Sequence, residues 1–335
     1  MYTSLRRFGS ELGNDIWQVS TTLFKLMVPT IIVVKILEEL GAVDYLATFL
    51  GPIMAWVGLP ESMGLVWATT ILTNIYAGML VFFYVQQTEV LSVAQVTVLS
   101  VLLLLAHGLP VEARIAQQAG VRLRVTLLLR LGGGLLLGWI LHQLYTQMNW
   151  LQETNQLVWQ PQIPEAGLWA WVVNQAKSLL MIQVIIIVLL TCLKILKLLG
   201  IERLIGFLLR PILRFLGIGK EATTITIVGV TLGLSFGGGL LIKEARAGHV
   251  PQQDIFASMC LLALSHSMIE DTLLVMVLGA DLSGVLWARL IFTVVLIGTF
   301  TRITVRCSET FWKRHLVNRN IEPLLPNEPS KAGSC

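Results

Sequence analysis

The sequence predicts an all-α integral membrane protein made of two inverted repeats, and three observations lead to this fold. The 335 residues are 55% hydrophobic and only 13% charged, with a mean hydropathy of +0.75, which is about half the charge of an ordinary soluble domain. The chain repeats itself at an offset of 159 positions, and corresponding loops carry opposite charge bias. Each repeat is therefore expected to hold three transmembrane helices, one interfacial amphipathic helix and one re-entrant hairpin.

The repeat is carried by residue types that an apolar composition does not make common. Glycine, proline, histidine and arginine keep one register over nearly a hundred positions, which chance matches between leucines would not produce. The matched pairs are Lys35 with Lys194, Gly41 with Gly200, Pro52 with Pro211, Gly58 with Gly217, Gly78 with Gly237, His107 with His266, Glu112 with Asp271, Gly120 with Gly279 and Arg130 with Arg289.

Six apolar segments have the length of a membrane crossing. Each is about 18 to 25 residues long, which matches a hydrocarbon core of roughly 30 Å. They are 20–40, 93–111, 123–145, 169–193, 253–270 and 285–305. Two further apolar segments, 62–85 and 222–242, occupy corresponding places in the repeats and are rich in Thr, Ser, Asn and Gly. These two are predicted to be re-entrant hairpins.

The charges of the loops test this arrangement, because Lys and Arg accumulate on the cytoplasmic side. Segment 41–61 has no Lys or Arg, whereas its partner 200–220 has four. Likewise, 86–92 has no Lys or Arg, whereas its partner 243–249 has two. In the third pair, 112–124 has three such residues and its partner 271–284 has none. Three crossings and one hairpin per repeat, with both termini cytoplasmic, reproduce this pattern. Hairpins that crossed the membrane would break it.

The chain is thus predicted to divide into five parts. Because 146–168 has no Lys or Arg and carries Trp and Gln, it is interpreted as an external linker. No signal peptide is recognised before the first span. The parts are a cytoplasmic N-terminal segment 1–19, repeat one at 20–145, the linker 146–168, repeat two at 169–305, and a cytoplasmic, partly disordered tail 306–335 that ends in a stretch rich in Pro, Asn and Ser.

The segments 41–61 and 200–220 are predicted to be helices lying in the membrane interface. In the second, Leu204, Leu208, Ile212 and Leu216 recur at four-residue spacing, arginines lie elsewhere on the helix, and Pro211 is expected to break it. The alternative is a plain cytoplasmic loop.

Composition excludes several other classes of protein and site. The net charge of +4 comes from short loops rather than from one basic face, so nucleic-acid binding is not indicated. The four cysteines have no metal or redox spacing and imply no disulfide framework. We therefore predict no cofactor, no metal ligands and no catalytic residues.

Two short segments place ionisable residues at membrane depth, where they are tolerated only in a protein interior or a wet cavity. One lies at 106–112, and its repeat mate lies at 265–271. In the first, Gly108 and Pro110 are expected to break the helix, leaving a half-helix that starts near Val111 with its positive dipole end toward His107. The predicted substrate-binding residues at these breaks are His107, Glu112, His266, Glu270 and Asp271.

The predicted hairpins add weaker candidates for the same site. Polar residues at their tips, Thr73, Asn74, Tyr76 and Ser235, are predicted to contact substrate, and Gly78, Gly233, Gly237, Gly238 and Gly239 to shape the hairpin backbone. The alternative is structural: glycines let helices pack closely in lipid, and a single histidine near a helix end is often only an interior residue.

At this point the residues resemble a known family. The stretch 233–244 reads GLSFGGGLLIKE and the segment 266–272 reads HSMIEDT, which is similar to the Gate or nucleoside-recognition domain of bacterial membrane proteins. That superfamily includes spore maturation proteins and the membrane core of the ferrous iron transporter B, and its fold is related to concentrative nucleoside transporters. The resemblance covers about 20–305, with the second repeat the clearer half, and implies paired hairpins and broken helices around a midplane site.

Two departures bear on the substrate that this resemblance implies. Nucleoside transporters carry an acidic residue in a hairpin to bind the ribose, and neither 62–88 nor 222–242 contains Asp or Glu. The hairpins also contain no Cys and the chain has no P-loop, so iron transport of the ferrous type is not favoured.

The leading hypothesis is a bacterial plasma-membrane permease, not an enzyme, that moves a small polar and possibly nucleoside-like solute by alternating access. Its expected partners are the lipid bilayer, the solute, a coupling proton or sodium ion, and a homo-oligomer or second Gate-type subunit; no nucleic acid is expected. One alternative is a non-transporting assembly protein of the spore-maturation type. Another is an intramembrane metal enzyme, although neither half has the H-E-x-x-H spacing.

Overall fold

The computed structural model describes residues 2–86, 89–157, 167–234, 239–243, 248 and 250–317. Within these ranges the chain is helical apart from loops and two isolated bridges. The helices are α1 (Tyr2–Glu39), α2 (Ala42–Trp56), α3 (Met63–Leu72), α4 (Ile75–Val85), α5 (Val93–Ala106), α6 (Leu109–Gln118), α7 (Leu123–Gln147), α8 (Leu168–Leu198), α9 (Ile201–Phe215), α10 (Lys220–Leu232), α11 (Gln252–Ser265), α12 (Glu270–Met276), α13 (Arg289–Val305) and α14 (Glu309–Phe311).

Five to six of the described helical segments are long and apolar enough to cross a membrane, which confirms the prediction of an all-α membrane protein. Each overlaps one of the six predicted spans. They are Ser10–Val33, Leu123–Gln147, Trp169–Leu198, Gln252–Met276, Ser283–Thr304 and, as the sixth, the pair α5 and α6, which bends by 40°. The first begins within residues predicted to form a separate N-terminal segment, because α1 continues without interruption from Tyr2.

Two inner helices form the centre of the bundle. The residues of α5 from 96 to 106 are all buried, and so are those of α11 from Ile255 to its end. The longer α8 carries large exposed apolar side chains such as Trp169, Leu180 and Leu198, which is typical of a lipid-facing helix. Only the inner helices can therefore interrupt their backbone without exposing polar groups to lipid.

Helices α3 and α4 pack against each other as a hairpin that turns at Thr73 and Asn74. Asn74 adopts an extended conformation and its Oδ1 accepts a hydrogen bond from Ala77 N at 2.9 Å, which caps α4. Gly78 lies so close to Thr70 that a Cβ there would come within 1.8 Å of Thr70 Oγ1. The two half-helices predicted at 62–85 are thus present, with a glycine at their closest approach.

The corresponding segment of the second half is described only in part. Helix α10 ends at Gly233, which has a φ of +96°, and residues 239–243 are helical. Ser235, Gly237 and Gly238 lie outside the described residues, so their predicted roles stay predictions.

The predicted interfacial segments are both helices, but Pro211 does not break α9, which runs through it. Phe207, Arg210 and Pro211 are exposed, so the carbonyl that loses its partner at the proline is not buried without one. The side of α9 that packs on the protein carries Leu209, Leu213 and Leu216, whereas Leu204 and Leu208 of the predicted apolar face are 52% and 56% exposed.

The first part of the predicted tail is helical. Ser308 Oγ accepts from Phe311 N and caps α14, and a π-helical turn, Trp312–Leu316, follows. Trp312 is buried against Phe256 and donates from Nε1 to Thr304 O at 2.6 Å. This buried aromatic side chain and its hydrogen bond thus fix the first part of the tail against α11 and α13. Residues 318–335 lie outside the described residues.

The beginning of the predicted linker is tied to both halves of the chain. Val93 N, at the start of α5, donates to Glu153 O at 3.0 Å, and Asn155 N donates to Leu91 O at 2.8 Å. The side chain of Asn155 donates from Nδ2 to Leu278 O at 2.9 Å. This segment therefore fixes the start of α5 beside the loop that follows α12.

Candidate functional site

Two buried helices are interrupted in the same way, 159 positions apart. Helix α5 ends at Ala106, His107 is extended, and Gly108 has a φ of +54° before α6 begins. Helix α11 ends at Ser265, His266 is extended, and Ser267 has a φ of +46°. Glycine adopts this left-handed conformation readily, but a serine does so at a cost of about 1–2 kcal/mol. The second break is therefore held by its surroundings rather than by its own residue.

The two histidines meet across the bundle. His107 Nδ1 lies 3.0 Å from Leu103 O, and His266 Nδ1 lies 2.7 Å from Leu262 O. A carbonyl oxygen can only accept, so each Nδ1 carries the hydrogen and each neutral ring presents a lone pair at Nε2. The two Nε2 atoms are 3.0 Å apart.

Two carboxylates reach the same point. Glu112 Oε1 lies 3.3 Å from His107 Nε2 and 3.2 Å from His266 Nε2. Asp271 Oδ2 lies 3.8 Å from His107 Nε2 and has no hydrogen-bond partner among the described residues. The acid after each break therefore faces the histidine of the other half. We call these four residues, His107, His266, Glu112 and Asp271, the central cluster.

Two fully buried arginines support the breaks. Arg130 donates from Nε to Leu105 O at 2.7 Å and from Nη2 to His107 O at 2.8 Å. Arg289 makes the equivalent bonds to Leu264 O at 2.8 Å and His266 O at 3.1 Å. Arg130 also forms an ion pair with Glu112. The guanidinium groups thus satisfy carbonyls that lost their helical partners at the breaks.

Both arginines lie at irregular turns of their helices. Arg130 is part of a π-helical turn inside α7, Leu128–Gly132, and Arg289 directly follows the π-helical segment Ser283–Ala288. Such turns are frequent at functional sites. Arg130 and Arg289 were matched as repeat mates in the sequence but were not predicted to belong to the site. Their equivalent positions within apolar segments could have indicated that they do.

The predicted hairpin residues differ in how near they come to the central cluster. Gly108 N donates to Thr70 O at 3.0 Å, and Met268 N donates to Val230 O at 2.9 Å, so both α3 and α10 contact a break. The hydroxyl of Tyr76 interacts with the Glu270 carboxylate. Tyr76 therefore connects the first hairpin to the acids of the second break.

The other hairpin candidates are held by local contacts. Thr73 Oγ1 donates to Thr69 O at 2.6 Å within its own helix. Asn74 Oδ1 caps α4, while its Nδ2 is buried and finds no hydrogen-bond partner in the part of the chain that the structure describes. A Cβ on Gly233 would come within 2.7 Å of Ser267 Oγ, whereas one on Gly239 would meet nothing within 4 Å. Gly233 is thus needed for packing against the second break.

Part of the chain matches a known protein family. Residues 20–122 match the Gate family, described as nucleoside recognition. The matched Gate segment contains the α3–α4 hairpin, His107 and Glu112, and it confirms the resemblance predicted from the sequence over these residues. The match falls in the first half, whereas the sequence suggested that the second half would be the clearer one.

The chain also resembles a membrane protein over most of its length. The chain is 26% identical over 283 residues to the uncharacterized membrane protein YvoD of Bacillus subtilis (strain 168), a region that covers 84% of this chain and 89% of YvoD. No solved structure matches the chain.

The charges of the site and its low exposure to solvent determine what it can bind. Two arginines face three carboxylates, those of Glu112, Glu270 and Asp271, so with neutral histidines the region carries a formal charge of −1. The side chains of His107, Glu112, His266 and Asp271 are 10%, 13%, 2% and 11% exposed. The region is closed to solvent in this conformation and would have to open before a solute could enter.

Proposed function

We propose that the chain is a permease of the bacterial plasma membrane that moves a small polar solute by alternating access. The residues proposed to bind the solute are those at the two breaks, His107, Glu112, His266, Glu270 and Asp271, with Tyr76 from the first hairpin. Arg130 and Arg289 position these residues by holding the carbonyls of the breaks.

One observation carries the proposal: several polar atoms in the closed region have no partner. Asp271 Oδ2, Thr272 Oγ1 and Arg289 Nη1 are buried and make no hydrogen bond among the described residues. Leaving such a group unsatisfied costs about 1–3 kcal/mol, and more for a charged one. A solute with both donors and acceptors would satisfy them, which explains why a membrane protein keeps ionisable residues at this depth.

The repeated contacts favour a transport mechanism in which the halves move against each other. Hydrogen bonds of His107 and Arg130 recur at His266 and Arg289 with the same offset. We propose that the two copies have inverted orientations, as the loop charges suggest, and that each contributes three crossings, an interfacial helix and a hairpin. The broken helices would then alternate between exposure to the two sides around a fixed midplane site.

A nucleoside-like solute is the substrate class we propose first, since the Gate family is described as nucleoside recognition. The hairpins lack acidic residues, but Tyr76 in the first hairpin lies beside Glu270 of the second break. Carboxylates could therefore accept hydrogen bonds from sugar hydroxyls while an aromatic ring lies next to them. A proton or a sodium ion remains the proposed coupling ion.

The experiment uses the purified full chain. Native mass spectrometry first identifies any co-purified solute, and proteoliposomes then measure uptake of that solute together with labelled uridine and adenosine under proton and sodium gradients. We expect Asp271→Asn and His266→Ala to lower uptake at least about 10-fold, a loss of roughly 1.4 kcal/mol or more in stabilisation.

The matched controls are Glu153→Gln and His142→Ala, which change an exposed acid and a histidine outside the site. They should keep uptake near that of the unmodified protein. If both Asp271→Asn and His266→Ala left solute uptake unchanged, the proposed solute-binding site would be wrong. A protein that binds and moves none of these solutes, yet always purifies with one partner chain, would instead support the assembly function.

A further inference from the structure

The central cluster directs acceptor atoms of four residues toward a common point. Both Nδ1 hydrogens are directed to carbonyl oxygens, so His107 Nε2 and His266 Nε2 face each other as lone pairs. Glu112 Oε1 is within 3.3 Å of both, and Asp271 Oδ2 is within 3.8 Å of the first. Lone pairs at these distances repel one another unless something positive lies between them.

We infer that this point is a binding site for one divalent transition-metal ion, with His107 Nε2, His266 Nε2, Glu112 Oε1 and Asp271 Oδ2 as ligands. Among the described residues, the ligand atoms of His107, His266 and Asp271 all lie within 4.8 Å of one another. The inference does not need the proposed transport function, because binding of a metal ion at equilibrium requires no movement of solute.

The distances fit a tetrahedral ion of the size of Zn²⁺. Zinc binds imidazole nitrogen and carboxylate oxygen at about 2.0–2.2 Å, so neighbouring ligand atoms of a tetrahedron are roughly 3.3 Å apart. The three edges joining His107 Nε2, His266 Nε2 and Glu112 Oε1 measure 3.0, 3.2 and 3.3 Å. These three atoms therefore form one face of such a tetrahedron, and Asp271, whose Oδ2 lies 3.8 Å from His107 Nε2, would move inward to supply the fourth vertex.

The atoms around the cluster have the arrangement that metal ligands usually have. A metal-bound histidine commonly donates its other ring N–H to a carbonyl or carboxylate, which fixes its tautomer. Both histidines do so here, to Leu103 O and Leu262 O. Arg130 binds the Oε2 atom of Glu112, which leaves Oε1 to face the cluster. The Asp271 side chain is 11% exposed, and its Oδ2 atom makes no hydrogen bond among the described residues.

The donor set selects the kind of ion. Two imidazoles and two carboxylates suit Zn²⁺, Co²⁺ and similar borderline ions, and they offer too few oxygens for Ca²⁺. From the sequence, metal binding by these histidines and carboxylates was only an alternative and no metal ligand was predicted, because the residues come in two pairs from opposite halves of the chain. Neither pair alone has a recognisable metal-binding spacing.

The test is a titration of the purified full chain in detergent after removal of metal with EDTA. Added Co²⁺ should bind in one equivalent per chain and give the strong visible absorbance of a tetrahedral site, and Zn²⁺ should displace it. We expect His266→Gln and Asp271→Asn, which keep most of the side-chain volume, to weaken Co²⁺ binding at least about 100-fold.

The matched control is His142→Ala, which should bind Co²⁺ like the unmodified protein. Size-exclusion profiles and thermal unfolding separate loss of binding from loss of fold in the variants. If the metal-free protein is folded and takes up no stoichiometric Co²⁺ or Zn²⁺, the inference is wrong and the two histidines share a proton instead. Binding that survives both site variants would also overturn it.

Discussion

Arg130 and Arg289 each donate two hydrogen bonds to the last turn of a broken helix, to carbonyls that lie at the same relative positions. The Nε atoms bind Leu105 O and Leu264 O, and the Nη2 atoms bind the carbonyls of the two histidines. In an uninterrupted helix these carbonyls would accept from backbone N–H groups four residues later. Each arginine thus replaces backbone donors and makes a helix break stable inside an apolar bundle.

The two arginines should differ in how much stability they provide, because only Arg130 also pairs with Glu112. Arg130→Met removes its hydrogen bonds and leaves the Glu112 carboxylate buried without its cation. We expect a loss of about 3–5 kcal/mol, since an uncompensated buried charge remains. Thermal unfolding in detergent, followed by the fluorescence of the 10 tryptophans, measures the effect.

A double variant separates the charge from the packing. Arg130→Met with Glu112→Gln removes both charges, so it should be more stable than Arg130→Met alone by about 1–3 kcal/mol. Arg114→Met, which changes an exposed arginine of α6, should stay within about 0.5 kcal/mol of the unmodified protein. A double variant less stable than the single one would show that the ion pair is not what Arg130 provides.

The sequence located the residues of the central cluster but not their pairing. His107 and Glu112 were predicted from one segment, and His266 and Asp271 from its repeat mate, because ionisable residues in apolar segments are rare. That Glu112 faces His266 as closely as His107 depends on how α5 and α11 pack. Local sequence patterns carry no information about contacts between distant helices, so the arrangement of the four side chains around one point could not be predicted.

The error at Pro211 has an equally local cause. Pro211 was expected to break its helix, since a proline removes one hydrogen bond, but on an exposed side of α9 the lost bond costs little. The error arises because burial decides the energetic weight of a residue, and burial is a property of the fold.

The close contact of Thr70 with Gly78 predicts that the first hairpin tolerates no side chain at position 78. In Gly78→Ala the new Cβ would lie 1.8 Å from Thr70 Oγ1, so α3 and α4 must move apart at a cost of about 1–3 kcal/mol. The melting temperature in detergent should fall. Solute uptake should fall as well, since Tyr76 lies on the displaced helix.

The control for this variant is Gly132→Ala in α7. A Cβ there would meet only Leu128 Cδ1, at the ordinary distance of 3.5 Å. Because alanine favours a helix over glycine by about 1 kcal/mol, this control should be neutral or stabilising. Equal changes of melting temperature in the two variants would mean that the hairpin contact is not tight.

Arg122 connects the tail to the loop before α7, and its removal should release the tail. Arg122 donates from Nε to Val317 O at 2.9 Å and from Nη2 to Lys313 O at 2.8 Å. A hydrogen bond from a charged donor contributes about 1.5–3 kcal/mol, so Arg122→Ala should speed cleavage at Phe311 and Trp312 by chymotrypsin about 10-fold or more. As a control, the Arg210→Ala variant, which changes an exposed residue of α9, should be cleaved by chymotrypsin at the rate of the unmodified protein.

The inverted orientation proposed for the two halves predicts that equivalent positions face opposite sides of the membrane. Leu123 and Leu282 are 159 positions apart and are similarly exposed, at 41% and 38%. The segment 112–124 around Leu123 carries three arginines, whereas 271–284 around Leu282 has no Lys or Arg. Positive charge marks the cytoplasmic side, so Leu123 should face the cytoplasm and Leu282 the exterior.

Single cysteines at these positions measure the orientation directly. In a background where Cys192, Cys260, Cys307 and Cys335 are serine, a membrane-impermeant maleimide should label Leu282→Cys in intact cells and Leu123→Cys only after permeabilisation. Two copies with the same orientation would place both cysteines on one side and give both the same labelling. That result would remove the alternating-access mechanism proposed here, because its two outward and inward states rely on halves of opposite orientation.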